Sequence, residues 1–280
     1  TSAVAHSSGA KVIMAFVPSH YTKVTASIDN GWVDADETWT YVSVDDPTGV
    51  IKVQADVTAK YSAGMRVKMT NATNTVYGII TAVGTYGGDA EGYTYITFLH
   101  EIDPTDSLAL HLLADSAITA NYYSVQKAPY GFPLEKSKWS IVFIDATQRE
   151  QASAVNGTWY NLNSNHIDIP IGVWGVSYDV NAGAVTGAHS IPSASIAVTL
   201  STADNSESDS DFTMGGYTAI TGLSSSTASY FAGIHKEKEV SLTSATAYYL
   251  NVKNKSSVPS ATIYINNSGK LIIKATCAYL

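Results

Sequence analysis

The chain has 280 residues, a net charge of −8 from 16 Lys and Arg against 24 Asp and Glu, and a charged fraction of only 14%. No Lys or Arg falls between Arg149 and Lys236, so there is no continuous basic track for phosphates, and direct nucleic-acid binding is disfavoured. Ser, Thr, Asn, Gly and 18 Tyr fill the place of the missing charges, a mixture that suits pleated strands and Gly/Asn turns, and an all-β protein is expected.

In chain order, Lys11–Pro18 (KVIMAFVP) is a short β-branched apolar run ended by Pro. Asn30-Gly31 and the acidic group Asp34, Asp36 and Glu37 follow it. Residues 1–37 are read as an N-terminal attachment segment that becomes ordered on a partner. A first module is expected over 38–147, a small β-sandwich or barrel. Its hairpin runs Trp39–Val44, turns at Asp45-Asp46-Pro47-Thr48-Gly49 and resumes at Val50–Val53. Strands at Met65–Met69, Val76–Val83 and Tyr93–Leu99 are separated by Asn71–Asn74 and by the Gly-rich Gly84–Gly92. Asp103–Asp106 followed by Leu108–Leu113 fits a short helix or an extended strand, since Asp caps and Pro suits a first turn. Pro129-Tyr130-Gly131-Phe132-Pro133 is rigid turn chemistry whose aromatics pack on the first module, and Trp139–Ile144 is its last strand.

A linker is placed at 148–156, followed by a jelly-roll β-sandwich head at 157–280. Its strands are read at Trp159–Leu162, Ile167–Ile169, Val173–Val180, Ser195–Thr202, Glu239–Leu242, Ala247–Val252, Thr262–Ile265 and Leu271–Tyr279, eight in all. Asp204–Asp211, without an apolar member, reads as a solvated loop, and Asn266-Asn267-Ser268-Gly269 as the hairpin joining the last two strands.

No catalytic constellation emerges. The seven His never fall at HxxH or HExxH spacing, and no G-x-S-x-G elbow closes. The pairs Asp34/Asp36 and Asp103/Asp106 are the candidates for two-carboxylate glycosidase chemistry, but they sit in turn-like sequence where Asp bonds its own backbone. Gly87-Gly88-Asp89 and Gly215-Gly216-Tyr217 lack the lysine of a phosphate loop and read as turns. Asp204, Glu207, Asp209 and Asp211 offer carboxylates for Ca²⁺ without EF-hand spacing, so whether that loop binds the ion is left open. Cys277, the sole cysteine, excludes an internal disulfide and reads as a small core side chain. Neither a membrane span nor a signal peptide is found, and synthesis in a reducing cytosol is expected. The four Asn-X-Ser/Thr sequons are expected by chance. No enzyme activity, metal or cofactor is expected.

Trp39–Ser43, Ile51–Val53, Tyr61–Met69, Val76–Ile80 and Ala128–Pro133 together resemble a module of virion structural proteins of tailed bacteriophages, of the tail-fibre, receptor-binding or head-fibre type. Trp159–Asn161, Ile169–Tyr178, Val198–Thr202, Tyr248–Leu250 and Ile273–Leu280 resemble the jelly-roll heads that cap phage fibres, similar in layout to C1q- and TNF-like domains. The resemblance implies a homotrimer and receptor contacts in variable loops, with no fixed catalytic residues. Independently, an uncovered strand as apolar as Leu271–Leu280 is a liability, and Tyr249, Tyr279 and Leu280 are therefore placed at a subunit interface.

The expected function is a non-enzymatic, exposed trimeric fibre or receptor-binding component on the virion surface. Its N-terminal segment would dock on other virion proteins and its head on a host cell-surface glycan, without membrane insertion. The alternatives are a capsid decoration or head-fibre protein, and a glycan-cleaving depolymerase.

Overall fold

The computed structural model describes residues 30–45, 47–88, 91–102, 113–186, 194–218, 228–255 and 260–278. The protein is all-β. Its only helical elements among the described strands and turns are brief 3-10 turns at Lys136–Trp139 and Ser210–Phe212. The segment expected at 1–29 and the helix-or-strand alternative at 103–112 lie outside the described residues.

The first seven strands are β1 (Val33–Asp34), β2 (Trp39–Asp45), β3 (Thr48–Val53), β4 (Arg66–Asn71), β5 (Asn74–Val83), β6 (Thr94–His100) and β7 (Ile118–Ser124). They form one antiparallel sheet in the order β1-β7-β4-β5-β6-β3-β2. The two ends of this sheet meet. Ala35 N donates to Asn121 O (2.9 Å) and Asn121 Nδ2 to Glu37 O (2.9 Å), which fastens the segment between β1 and β2 onto β7. The result is a barrel-like curl around Ile51, Val53, Val67, Met69, Val76, Ile80, Ile96 and Phe98. Phe98 fits because two strands give up their side chains to it. A Cβ on Gly78 would lie 2.5 Å from its ring and one on Gly49 2.9 Å. Residues 30–37, expected to belong to the N-terminal segment, are part of this body, with Trp32 and Ala35 buried.

The head comprises β8 (Ser140–Asp145), β9 (Arg149–Val155), β10 (Trp159–Ile169), β11 (Gly172–Thr186), β12 (Ala194–Ser201), β13 (Met214–Thr218), β14 (Ala228–Leu242), β15 (Thr246–Asn254), β16 (Ser260–Ile265) and β17 (Leu271–Cys277). The hairpin expected at Asn266–Gly269 is corrected. β16 and β17 both run antiparallel to the single strand β11, Ala182 facing Ile265 and Asp179 facing Ile272, so they are two halves of one strand. β8 and β9 are likewise collinear, facing β17 and β16. The two interruptions lie side by side. Asn266, at φ +62°, donates its Nδ2 to Asp145 O (3.0 Å) and Thr147 O (3.1 Å), which stitches the humps together. The linker expected at 148–156 is thereby corrected too: it is edge strand β9, whose polar alternation hides a paired backbone.

With those halves joined, eight strands remain. The larger sheet runs β8/β9, β17/β16, β11, β14, and the smaller runs β10, β15, β12, β13. This is the neighbour order of a jelly roll: first beside eighth, eighth beside third, third beside sixth, with second, seventh, fourth and fifth opposite. β13 corrects the reading of Gly215–Tyr217 as a turn, since these residues pair with Ser195–Ala197. β14 extends far upstream of the expected Glu239–Leu242. Trp159–Leu162 and Ile167–Ile169 are one strand, broken by a bulge at Asn163 and Ser164, both at positive φ. Between the sheets Trp174, Val176, Tyr178 and Val180 meet Ile196, Val198, Leu200, Leu250 and Val252. Tyr178 Oη reaches Val198 O (3.0 Å) and Phe212 O (2.9 Å), so its polar tip is satisfied, and burial pushes its phenol well above the ordinary range.

Barrel and head share apolar packing. Ile79, Leu99, Trp32, Phe132 and Trp139 belong to the same cluster as the head core. Phe132 stacks on Trp139 at 5.1 Å and 10°, Trp139 Nε1 donates to Pro133 O (2.7 Å), and the buried Arg66 guanidinium sits 5.1 Å over Phe132. Of the aromatics in Pro129–Pro133, Phe132 packs as expected, whereas Tyr130 is 82% exposed. The β10–β11 turn touches the barrel, a Cβ on Gly172 falling 3.2 Å from Thr81. Strand directions then put the Asn156-Gly157 turn and the ends Thr186, Ala194, Thr218, Ala228, Lys255 and Ser260 at the pole of the head away from the barrel.

Candidate binding surfaces

The barrel seam carries the acidic group. Asp34, Asp36, Glu37 and Thr38 face Ile118–Asn121 across a shallow cleft of about 500 Å³. Asp34 Oδ1 accepts the Asp36 N–H (2.9 Å) and holds Asp36 at φ +53°, the local backbone bonding that turn-located Asp favours. Glu37 is fully engaged. Its Oε1 meets Lys60 Nζ (2.5 Å), and its Oε2 accepts from Tyr61 Oη (2.8 Å) and Trp39 Nε1 (3.2 Å). Burial, reinforced by Glu37, drives the Tyr61 phenol far above its usual range. Of these carboxylates Asp34 shapes its own turn, and Glu37 ties the seam to Lys60, Tyr61 and Trp39. Asp103 and Asp106 lie outside the described residues.

On the head, Asp204–Asp211 is solvated as expected, with six of its eight residues exposed, but its inner side is laid against the small sheet. The polar outer face of the small sheet, with Thr199, Ser201 and Asn251 at its centre, is covered by residues 202–213 folded back over it. Asn251 Nδ2 donates to Ala203 O (3.1 Å) and Ser206 O (2.8 Å), its Oδ1 accepts Asn205 N (3.2 Å), and Asn205 Oδ1 accepts Asn161 N (2.7 Å). Ser201 Oγ is bonded to Ser206 and Ser208, and Thr213 Oγ1 to Thr199. The loop carboxylates meet ammonium groups. Lys238 pairs with Asp209 and with Asp211 (3.3 Å), and Lys253 with Glu207 (3.8 Å). The hydrogen bond from Lys238 holds Asp209 below the usual carboxylate range, and Asp209 in turn raises Lys238. Asp209, Asp211 and Glu207 are thus each paired with a lysine, and among the described residues no cluster of three or more His, Cys, Asp or Glu is placed to hold a metal. Lys238 is also an inward-pointing charge on the edge strand β14, a device that discourages unwanted strand pairing.

Tyr249 lies half-buried on the same outer face, facing His166 across β10 and Ser201 across β12. Its ring is 5.4 Å from the His166 ring. His166 Nδ1 donates to Ser164 O (2.7 Å), and Nε2 lies 3.6 Å from Asp168. Tyr279 and Leu280, grouped with Tyr249 on sequence grounds, lie outside the described residues. Cys277 is a buried core thiol beside the barrel junction. Of the sequon asparagines, Asn71, Asn254 and Asn266 are buried, whereas Asn156 is exposed at its turn. No helix among the described residues is long and apolar enough to cross a membrane.

Sequence reasoning missed the polar covering of the small sheet. The signal was present in the pairing of Ser, Thr and Asn on β12 and β15 with the Ser/Asn-rich 202–213, since buried polar side chains demand partners.

No family model matches the chain, and no curated protein matches it. Solved structures match the chain only at low similarity. Dimeric latent PorU from Porphyromonas gingivalis is 9% identical with a TM-score of 0.26, over 87% of this chain and 24% of that one. The infectious bursal disease virus Gt strain is 11% identical with a TM-score of 0.28, over 92% of this chain and 78% of that one. T=1 particles derived from infectious bursal virus are 10% identical with a TM-score of 0.25, over 93% and 79% respectively.

Proposed function

We propose that the protein is a non-enzymatic virion structural component, an exposed trimeric fibre or receptor-binding protein whose head meets the host surface. The observation that carries this reading is architectural. A jelly-roll head is seated on a barrel through Phe132 and Trp139, and the Asn156-Gly157 turn and the strand ends Thr186, Ala194, Thr218, Ala228, Lys255 and Ser260 are gathered at the pole opposite that seat. Such a body presents a pole outward while its other end is held. The carboxylates described at the seam and over the small sheet are engaged in turns and ion pairs, so the structural role suits them better than polysaccharide cleavage. A trimer would multiply weak contacts into avidity.

The test is adsorption. The purified chain should coat host cells, block attachment of the virus and sediment as a trimer. Failure to compete for adsorption, with the chain located on the capsid wall by electron microscopy, would favour the decoration role instead. Release of reducing sugar from host polysaccharide would point to a depolymerase.

A further inference from the structure

The outer face of the larger sheet carries two parallel rows of side chains, with Asn181 and the bare backbone of Gly233 between them. In the first row Glu150, Tyr264, Gly183 and Phe231 face one another across β9, β16, β11 and β14. Phe231 lies down on the sheet, since a Cβ on Gly183 would fall 2.2 Å from its ring. Tyr264 stands next to it, ring centroids 6.1 Å apart at 48°, and burial and the neighbouring Glu150 carboxylate raise its phenol above the ordinary range. The second row contains Asp179 and His235, paired at 2.8 Å through His235 Nδ1 and with both side chains more than half exposed.

Between the rows, at the level of Asn181, stands Gly233. Glycine inside a strand weakens it and marks a bulge or a close approach by a ligand or another backbone. Gly183 is accounted for by the Phe231 ring. Gly233 is not, because nothing lies within 4 Å of where its Cβ would be, and it sits in regular register with Asn181. Phe231 and His235, two residues to either side of it, are about 13 Å apart along the strand at the usual rise. The trough above Gly233 is therefore a gap one small ring wide, with an aromatic wall on one side and an imidazole–carboxylate pair on the other.

We propose that this trough binds one pyranose unit of a saccharide. The C–H face of the sugar would lie against Phe231, and its hydroxyls would donate to Asp179 and meet His235. A face of aromatic surface with a few placed polar groups is the general chemistry of small-ligand sites, and Tyr adds a polar tip to its ring. A second protein chain suits the trough less, because its walls carry exposed charge and its floor offers no deep pocket for an anchoring side chain. The inference deepens the attachment reading and rests on it for the source of the saccharide.

The experiment titrates the full chain with glucose, galactose, rhamnose and N-acetylglucosamine, read by saturation-transfer NMR, alongside coating of host cells. At least one sugar should bind with Kd of about 1 mM, as suits a single shallow site. Gly233→Val should lower that affinity at least about tenfold, equivalent to 1.4 kcal/mol. It should leave the thermal midpoint unchanged or raised, because it adds a β-branched side chain to open space. Phe231→Ala should abolish transfer to the sugar ring protons. Absence of binding by all four sugars, or unchanged binding by Gly233→Val, overturns the trough. If cells are nevertheless coated by both wild type and Gly233→Val, the attachment reading survives without it; if sugars bind but cells are not coated, the trough stands and attachment falls.

Discussion

The barrel and the head both curl antiparallel strands around an apolar interior, yet they deal with their exposed polar edges differently. The barrel closes its seam with one carboxylate: Glu37 gathers Lys60, Tyr61 and Trp39, and its own carbonyl takes the Asn121 amide. The head instead covers the centre of a sheet face with a loop held by many neutral bonds among Ser201, Ser206, Ser208, Asn205 and Asn251, besides the lysine pairs at its margin. A charge-assisted closure concentrates its contribution in one residue, whereas a hydroxyl and amide network spreads it. The barrel seam should therefore be sensitive to single substitutions, and the head cover tolerant of them.

The largest expected effect joins the two regions. Trp139→Ala removes a fully buried ring stacked on Phe132 and should cost about 3–5 kcal/mol. Differential scanning calorimetry should then resolve separate barrel and head transitions; a single transition at the wild-type midpoint would contradict a shared core. Next, Glu37→Gln preserves shape but leaves Lys60 without its carboxylate, an expected loss of about 1.5–3 kcal/mol confined to the barrel. Hydrogen exchange should rise in β2 and β7 and stay unchanged in β11. Asn251→Ala removes three bonds to the head cover and should cost about 1–2 kcal/mol, with faster exchange over 202–213 while β11 and β17 remain protected.

The smallest effect is that of pH. Because Asp209 is lowered, its contribution is present above the unfolded carboxylate value of about 3.9 and lost as pH falls through the lower folded value. Lys238 is raised, so its contribution is present below about 10.4 and lost as pH climbs through the higher folded value. The loop should be most protected between these limits. Asp209→Asn should flatten the acid limb of its exchange profile; an unchanged limb would show that the pair does not govern the cover.

The strands legible in the sequence are those with a buried alternating face, such as Val50–Val53, Val76–Val83 and Leu271–Cys277. Those that were misread carry other signals. Arg149–Val155 looks like a linker because it is an edge strand with few apolar residues, and the strand read at Glu239–Leu242 starts too late because the charges of Lys236–Lys238 alternate along an edge. Asn266–Gly269 has hairpin chemistry, but tertiary pairing with β11 keeps the chain moving in one direction through it. At the candidate trough, Phe231, Gly233, Asp179 and Tyr264 come from three strands distant in sequence. No local spacing relates them, and only the register across the sheet does.

The head's first and last strands are neighbours, Ser140 facing Thr276 and Trp174 facing Cys277 beside the barrel. Tension applied between those adjacent points would peel one ladder open like a zipper and never load the opposite pole. The strand ends Thr186, Ala194, Thr218 and Ala228 at that pole therefore lie outside the line of force.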